Sequence, residues 1–153
     1  MENQSHQQEH ERIASLVTLC VCSNLRRASR AVTNHYDRLL GEVSDLRVSQ
    51  ASVLVVLYLA GPQTINELAD RLALDRTTIG RNLQPLARQG LLALTPGSDQ
   101  RTRVATLTAQ GEEALLRIVA QWEQAQAHMI AGIGQEQLSA FLAQMAAARA
   151  QEM

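Results

Sequence analysis

The sequence predicts a mainly α fold with a small β-hairpin set in its middle. Long stretches carry apolar residues at helical spacing with no Pro or Gly between them. Aromatic residues make up only 3% of the chain, so its core must be built from Leu, Val, Ile and Ala, as in many helical proteins. One pair of short runs, the second rich in Thr and Val, flanks a turn cluster, Pro96-Gly97-Ser98-Asp99-Gln100. With 153 residues, 46% of them hydrophobic, the chain fits one domain, or one small module held in a helical frame.

The elements follow in chain order. Residues 1–10 are polar and rich in Gln and His; they read as a flexible tail and lack the apolar run of a signal peptide. From Glu11 to Leu40, apolar residues such as Ile13, Leu16, Val17, Cys20, Leu25, Ala28, Val32, Tyr36 and Leu40 keep helical spacing up to Gly41. That is one helix of about 30 residues, roughly 45 Å long. It outreaches a module of this size, so a second copy of the chain is expected against it. Ser49–Leu59 reads as a buried helix closed by Gly61-Pro62. Thr64-Ile65-Asn66-Glu67 is a capping box that opens the helix Ile65–Leu72. After a three-residue turn, Ala73-Leu74-Asp75, the acid caps the next helix, Arg76–Gln89, and Gly90 ends it. Leu91–Thr95 and Arg101–Leu107 form the hairpin. Thr108 caps a long helix to about Ala131, and Gly134–Arg149 is the last helix.

Helix, short turn, capped helix and hairpin together make a winged helix-turn-helix. The reading is therefore a winged helix-turn-helix flanked by N- and C-terminal dimerisation helices. Residues 46–107 form the DNA-binding lobe, with 11–45 and 108–153 as the helical dimerisation region.

Net charge is −1 and gives no hint of nucleic acid, but its distribution does. Pro62–Thr108 holds six Arg against four acids, and Ala109 onward two Arg against five Glu. A mildly basic middle and an acidic tail suit a protein that touches a polyanion with one face. All 14 basic residues are Arg. Codon bias in a GC-rich genome accounts for that without function, although the planar guanidinium fork suits phosphate and guanine edges. The longest apolar run, Val53–Ala60, is too short to cross a bilayer, so a cytoplasmic protein without a membrane partner is expected.

On the helix Arg76–Gln89, at about 100° per residue, Ile79, Leu83 and Leu86 form the core stripe. Opposite lie Thr77, Arg81, Gln84 and Arg88, with Thr78 and Pro85 on the flank. Arg pairs with guanine, Gln with adenine, and a Thr methyl packs on thymine. The N-terminal half of such a helix meets the bases, which favours Thr77, Thr78 and Arg81. Thr64, the cap of the preceding helix, is grouped with them. The same residue types also make an ordinary solvated face; the capping box, turn and hairpin decide for a DNA-reading one. Pro85 removes the bond to the Arg81 carbonyl and is expected to bend the axis, which weakens the case for Arg88. In the wing, Asp99 can hold Arg101 extended for a minor groove, and Arg103 on the same strand face can meet the phosphate backbone. A surface ion pair of little energetic worth is the other reading of the Asp99–Arg101 pair.

The stretch Asp75-Arg76-Thr77-Thr78-Ile79-Gly80-Arg81, the stretch Leu86-Ala87-Arg88-Gln89-Gly90-Leu91-Leu92, then Asp99-Gln100-Arg101 and Leu107-Thr108-Ala109-Gln110-Gly111, together resemble the signature of the MarR (multiple antibiotic resistance regulator) family. The long leading helix and two trailing helices match as well, so the resemblance covers nearly the whole chain. It implies a homodimeric transcription regulator, a repressor, whose first and last helices interlock. The DNA partner is a pseudo-palindromic double-stranded operator. Thr77, Thr78 and Arg81 would face its major groove, and Arg101, held by Asp99, its minor groove. It also implies relief by a small anionic phenolic effector or by an oxidant. The departures from the pattern are Pro85 and a wing without Lys.

An effector pocket is expected late in the first helix, at His35 and Tyr36, with Arg30 or Arg38 pairing a ligand carboxylate; ordinary interface residues are the alternative. Cys20 and Cys22 are candidates for a redox switch, since some relatives sense peroxide through a cysteine of the first helix. On one helix their side chains would diverge by about 200°, which forbids a local disulfide or shared ion and leaves a structural role open. Nearby Arg26 and Arg27 would lower a thiolate pKa. His6, His10, His35 and His128 show no metal-ligand spacing, so neither a metal nor a cofactor is expected. Trp122 reads as core or interface. No catalytic grouping is present, which argues against an enzyme. The rival reading is a winged-helix module that binds another protein, as anti-repressors do, without operator binding.

Overall fold

The computed structural model of the chain describes residues 2–97 and 102–150. Within them lie seven helices and three short strands: α1 (Glu2–Leu19), α2 (Val21–Leu40), α3 (Val48–Ala60), β1 (Gln63–Thr64), α4 (Ile65–Leu72), α5 (Arg76–Arg88), β2 (Leu92–Pro96), β3 (Arg103–Leu107), α6 (Ala109–Ile133) and α7 (Gln135–Ala150). The mainly α fold with a small β wing is the one the sequence predicts. Two compact units divide the chain, one ending at His35 and one beginning at Tyr36.

In the first unit, the single helix expected over Glu11–Leu40 is two helices. Helical structure starts at Glu2, inside the stretch that reads as a tail, and stops at Cys20. The side-chain amide of Asn24 donates to the carbonyls of Thr18 (2.8 Å) and Cys20 (3.0 Å). It thus gives the Thr18 carbonyl at the end of α1 a side-chain partner, while the Cys20 carbonyl also accepts from the Asn24 backbone amide at 3.0 Å and opens α2. The β-branched Val17, Thr18 and Val21 around the break also weaken helix propensity there. Ile13, Leu16, Val17, Leu19 and Val21 are 61–75% exposed.

In the second unit, α3 is the central post, burying Ala51, Val53, Leu54 and Leu57. Its start is capped from α2: the Val48 amide donates to Asp37 Oδ1 at 2.7 Å, and Arg47 pairs with Asp37 Oδ2 at 3.2 Å. Around α3 gather Leu68 and Ala69 of α4, Ile79, Leu83 and Leu86 of α5, and Leu92 and Ala105 of the wing; Ala114, Leu115 and Ile118 of α6 join the same core. Tyr36 is also buried, edge-on to Trp122 with ring centroids 6.2 Å apart, and its hydroxyl donates to the Gln126 side chain.

The wing is an antiparallel sheet in the order β1-β3-β2, with Ala105 opposite both Gln63 and Leu94. The sequence predicts its hairpin but not β1, because two residues are too few to show an alternating pattern. Among the described residues no helix is long and apolar enough to cross a membrane.

The corner where α5, β2 and α6 meet is tightly made. Gly90, at φ 72°, closes α5 in a Schellman turn: the Leu91 amide donates to Leu86 O at 2.9 Å and the Gly90 amide to Ala87 O at 3.0 Å. Thr108 then caps α6, its oxygen accepting from the Gly111 amide at 3.0 Å while its hydroxyl donates to Gly90 O at 2.7 Å. The Thr108 amide donates to Leu91 O at 3.2 Å. Gly111 lies so close to that carbonyl that a Cβ would sit 1.9 Å from it.

Candidate nucleic-acid interface

Both helices of the helix-turn-helix begin on an acid and a threonine. At α4, the Glu67 amide donates to Thr64 Oγ1 at 3.2 Å, while the Glu67 carboxylate accepts from the Thr64 amide at 2.7 Å and its hydroxyl at 2.8 Å. Those bonds, the amide's first and then the hydroxyl's, hold the Glu67 carboxyl below its ordinary pKa. At α5, Asp75 accepts from the Thr78 amide at 2.8 Å and the Thr78 hydroxyl at 2.7 Å. The hydroxyl, then the amide, pulls the Asp75 carboxyl down in the same way. Between them Ala73 takes the left-handed conformation, φ 51° and ψ 44°, and the Leu74 amide reaches back to Ala69 O at 3.0 Å. Two capped ends and a locked turn fix the angle between α4 and α5.

That frame sets the faces of α5. Ile79, Leu83 and Leu86 are buried in the core, whereas Thr77, Arg81, Gln84 and Arg88 are all exposed. They form one outward stripe, as the helical period requires. The helix runs on through Pro85 to Arg88, so the proline ends neither the helix nor the stripe. Thr78 is half-buried, with its hydroxyl committed to the Asp75 cap. Asp99 and Arg101 lie outside the described residues. Arg103 is exposed at the start of β3.

Two residues beside the stripe were not singled out in the sequence. Arg76 Nε donates to Asn66 Oδ1 at 2.6 Å, tying the first residue of α5 to the first turn of α4. With Thr64, Ile65, Thr102 and Arg103 they line a cleft of about 270 Å³. Arg76 sits about 100° round the helix from Thr77 and so falls outside the stripe that periodicity reveals. Its place as the first residue after the cap was the only signal.

The expected effector and redox residues are placed as follows. Tyr36 is buried in the core, and its hydroxyl donates to the Gln126 side chain. Arg30 lies on a shallow surface cleft of the first unit with Arg26, Arg27, Ala31 and Asn34. His35 is half-buried and Arg38 exposed. In the second unit a cavity of about 430 Å³ lies beside the α5–β2–α6 corner, lined by Leu46, Leu91 and Ala114 with Gln89, Gln110 and Arg117 among others; none of the four expected effector residues borders it. Both cysteines are free thiols. Cys20 is the non-helical residue between α1 and α2, so the argument from two positions on one continuous helix does not apply to it. Its thiol pKa is lowered, first by the Ser23 hydroxyl and then by the Ser23 amide, while Cys22 is exposed in the first turn of α2. Among the described residues no group of three or more His, Cys, Asp or Glu is placed to hold a metal ion.

A capped helix pair on a three-residue turn, followed at once by a sheet wing and a long helix, defines a winged helix-turn-helix protein. A family model described as MarR family matches residues 44–102. The structure of the transcriptional regulator MosR from M. tuberculosis is similar at 33% identity, covering 88% of this chain and 98% of that one, with a TM-score of 0.77. A second structure of MosR, in complex with DNA, is similar at 37% identity over 88% of this chain and 99% of that one, with a TM-score of 0.75. Sco3205, a MarR family transcriptional regulator from Streptomyces coelicolor solved in complex with DNA, shares the fold at 21% identity, covering 87% of this chain and 89% of that one, with a TM-score of 0.76. No curated protein matches. The chain belongs to the MarR family of transcriptional regulators.

Proposed function

We propose that the chain is a cytoplasmic, homodimeric repressor that binds a pseudo-palindromic operator in double-stranded DNA. The observation that carries this reading is the outward stripe Thr77, Arg81, Gln84 and Arg88 on a helix whose opposite face is locked into the core. Likeness to a regulator solved with DNA supports it. Thr77 and Arg81, nearest the helix start, read base edges, Gln84 follows, and Arg88 meets the backbone. Thr64 and Thr78 position the helices as caps, and Arg101, steadied by Asp99, enters the minor groove. Dimerisation gives a role to the exposed apolar residues of α1 and to Phe141 and Leu142 of α7, which a single chain leaves in water. Two reading heads related by a two-fold place half-sites about 10 base pairs apart.

Arg81→Ala and Arg101→Ala test this reading in a binding titration at fixed salt. Both are expected to weaken operator affinity, Arg81→Ala by roughly 10- to 100-fold, the worth of a bidentate base contact in the major groove. Unchanged affinity in both would refute the contact assignment. A weak salt dependence of the unmodified protein would favour the protein-docking module instead.

Relief by a signal belongs to the same proposal. A phenolic effector at Arg30, His35, Tyr36 and Arg38 has less support than an oxidant, since the Tyr36 hydroxyl is already bonded in the core. The Ser23 hydroxyl, then its amide, lowers the Cys20 thiol pKa and so favours the nucleophilic thiolate, and Cys22 lies two residues on. Peroxide is expected to release DNA from the native protein and not from Cys20→Ser.

A further inference from the structure

We infer that the cleft between α4, α5 and β3 is a phosphodiester seat, in which Arg76, held by Asn66, and Arg103 clamp one phosphate of the DNA backbone. This rests on the reading of α5 as a DNA-facing helix and adds residues to it that carry no sequence information themselves. Nε of Arg76 is its one bonded donor among the described residues, taken by Asn66 Oδ1 at 2.6 Å. The two terminal nitrogens are left as a fork, the geometry that matches phosphate oxygens. Arg103 borders the same cleft, with no acidic partner among the described residues. Asp75, next to Arg76 in sequence, accepts from the Thr78 amide and hydroxyl, and Glu67 of α4 from the Thr64 amide and hydroxyl, so among the described residues neither carboxylate is paired with Arg76 or Arg103. The cleft, about 270 Å³, is bordered by the first turn of α4 and the first residue of α5. Both are positive ends of helix dipoles. Held in place by Asn66, Arg76 loses little freedom when a phosphate arrives, and so fixes the register in which Thr77 and Arg81 meet the bases.

The test is DNA affinity of the full chain as a function of KCl, on an operator duplex and on a scrambled duplex of the same length. Arg76→Gln is expected to weaken both by a similar factor and leave their ratio unchanged, with the slope of log affinity against log salt shallower by about 1.8, about 0.9 for each protomer of the proposed dimer. Asn66→Ala is expected to produce a smaller loss of the same kind, absent when Arg76 is already Gln. Both residues are exposed, so both variants keep the core. An unchanged salt slope in Arg76→Gln, or a loss confined to the operator, would overturn the inference while leaving the DNA reading intact. Saturable binding of inorganic phosphate that is lost in Arg76→Gln, with DNA affinity and its salt slope unchanged by that substitution, would overturn the assignment to the DNA backbone in favour of a free anion. If the unmodified protein binds neither duplex, the DNA reading fails and this inference with it.

Discussion

Replacing Gly111 with Ala asks whether α6 is bolted to the corner that ends α5. Helix propensity alone argues that the change should stabilise, since Ala exceeds Gly by about 0.8–1.0 kcal/mol inside a helix. Packing argues the opposite. The new Cβ would lie 1.9 Å from Leu91 O, 2.9 Å from Leu91 C and 2.8 Å from a Leu107 methyl. A side chain could rotate away, but Leu91 O is backbone and already accepts from the Thr108 amide at 3.2 Å. Relief therefore requires the corner to open. Overpacking typically costs about 1–3 kcal/mol, and a contact this short belongs at the top of that range. Opening the corner also loosens the two Thr108 bonds, to Gly90 O and Leu91 O, at about 1 kcal/mol each. After the propensity gain, the net loss is roughly 3–4 kcal/mol, or a fall in Tm on the order of 10 °C for a chain of this size. Urea and thermal unfolding followed by circular dichroism would measure it, at fixed protomer concentration because the stability of the proposed dimer depends on it. Gly80→Ala is the matched control, a helical glycine of α5 with nothing within 4 Å of its added Cβ. It should gain about 1 kcal/mol. If Gly111→Ala is as stable as the unmodified chain, or gains as Gly80→Ala does, the corner is not the close-packed joint described above.

Ala73→Gly, in the turn between α4 and α5, should raise Tm by about 2–4 °C, because Ala73 occupies the left-handed region at a cost of roughly 1 kcal/mol that glycine avoids; a fall in Tm would contradict the turn geometry. Acid should loosen the same pair of helices. The Glu67 and Asp75 carboxyls are both depressed in the folded chain, so their contribution is complete above the ordinary carboxylate pKa range and is lost as pH falls through the lower folded values. A Glu67→Gln, Asp75→Asn double variant keeps both caps but removes the charge. Its Tm should fall less steeply with acid below about pH 4 than that of the unmodified chain; parallel curves would refute the assignment.

How much of this was legible in the sequence depends on the range over which the determining forces act. Caps and turns are local. Thr64 with Glu67, Asp75 ahead of α5, and Gly90 behind it could be read from close neighbours, and the outward stripe of α5 follows from the helical period once its start is known. The break at Cys20 was hidden, because Asn24 looks like any polar residue in mid-helix until its amide is seen on the carbonyls of Thr18 and Cys20. The tie from Asn66 to Arg76 spans ten residues and depends on the angle at which α4 meets α5, which no spacing encodes. The burial of Tyr36 and the bond its hydroxyl makes depend on Trp122 and Gln126, some ninety residues away, which no local spacing reveals. Asp75 and Glu67 were legible as caps; that Thr78 spends its hydroxyl on one of them was not.

The corner at Gly90, Thr108 and Gly111 has a mechanical consequence. Among the described residues α5 meets α6, whose 25 residues extend roughly 38 Å, directly at this corner. Helix and shaft share hydrogen bonds at their junction, so they behave as handle and blade of one tool. Tilting the far end of α6 by a few degrees sweeps Thr77 and Arg81 through an arc, without unfolding any of the lobe that carries them.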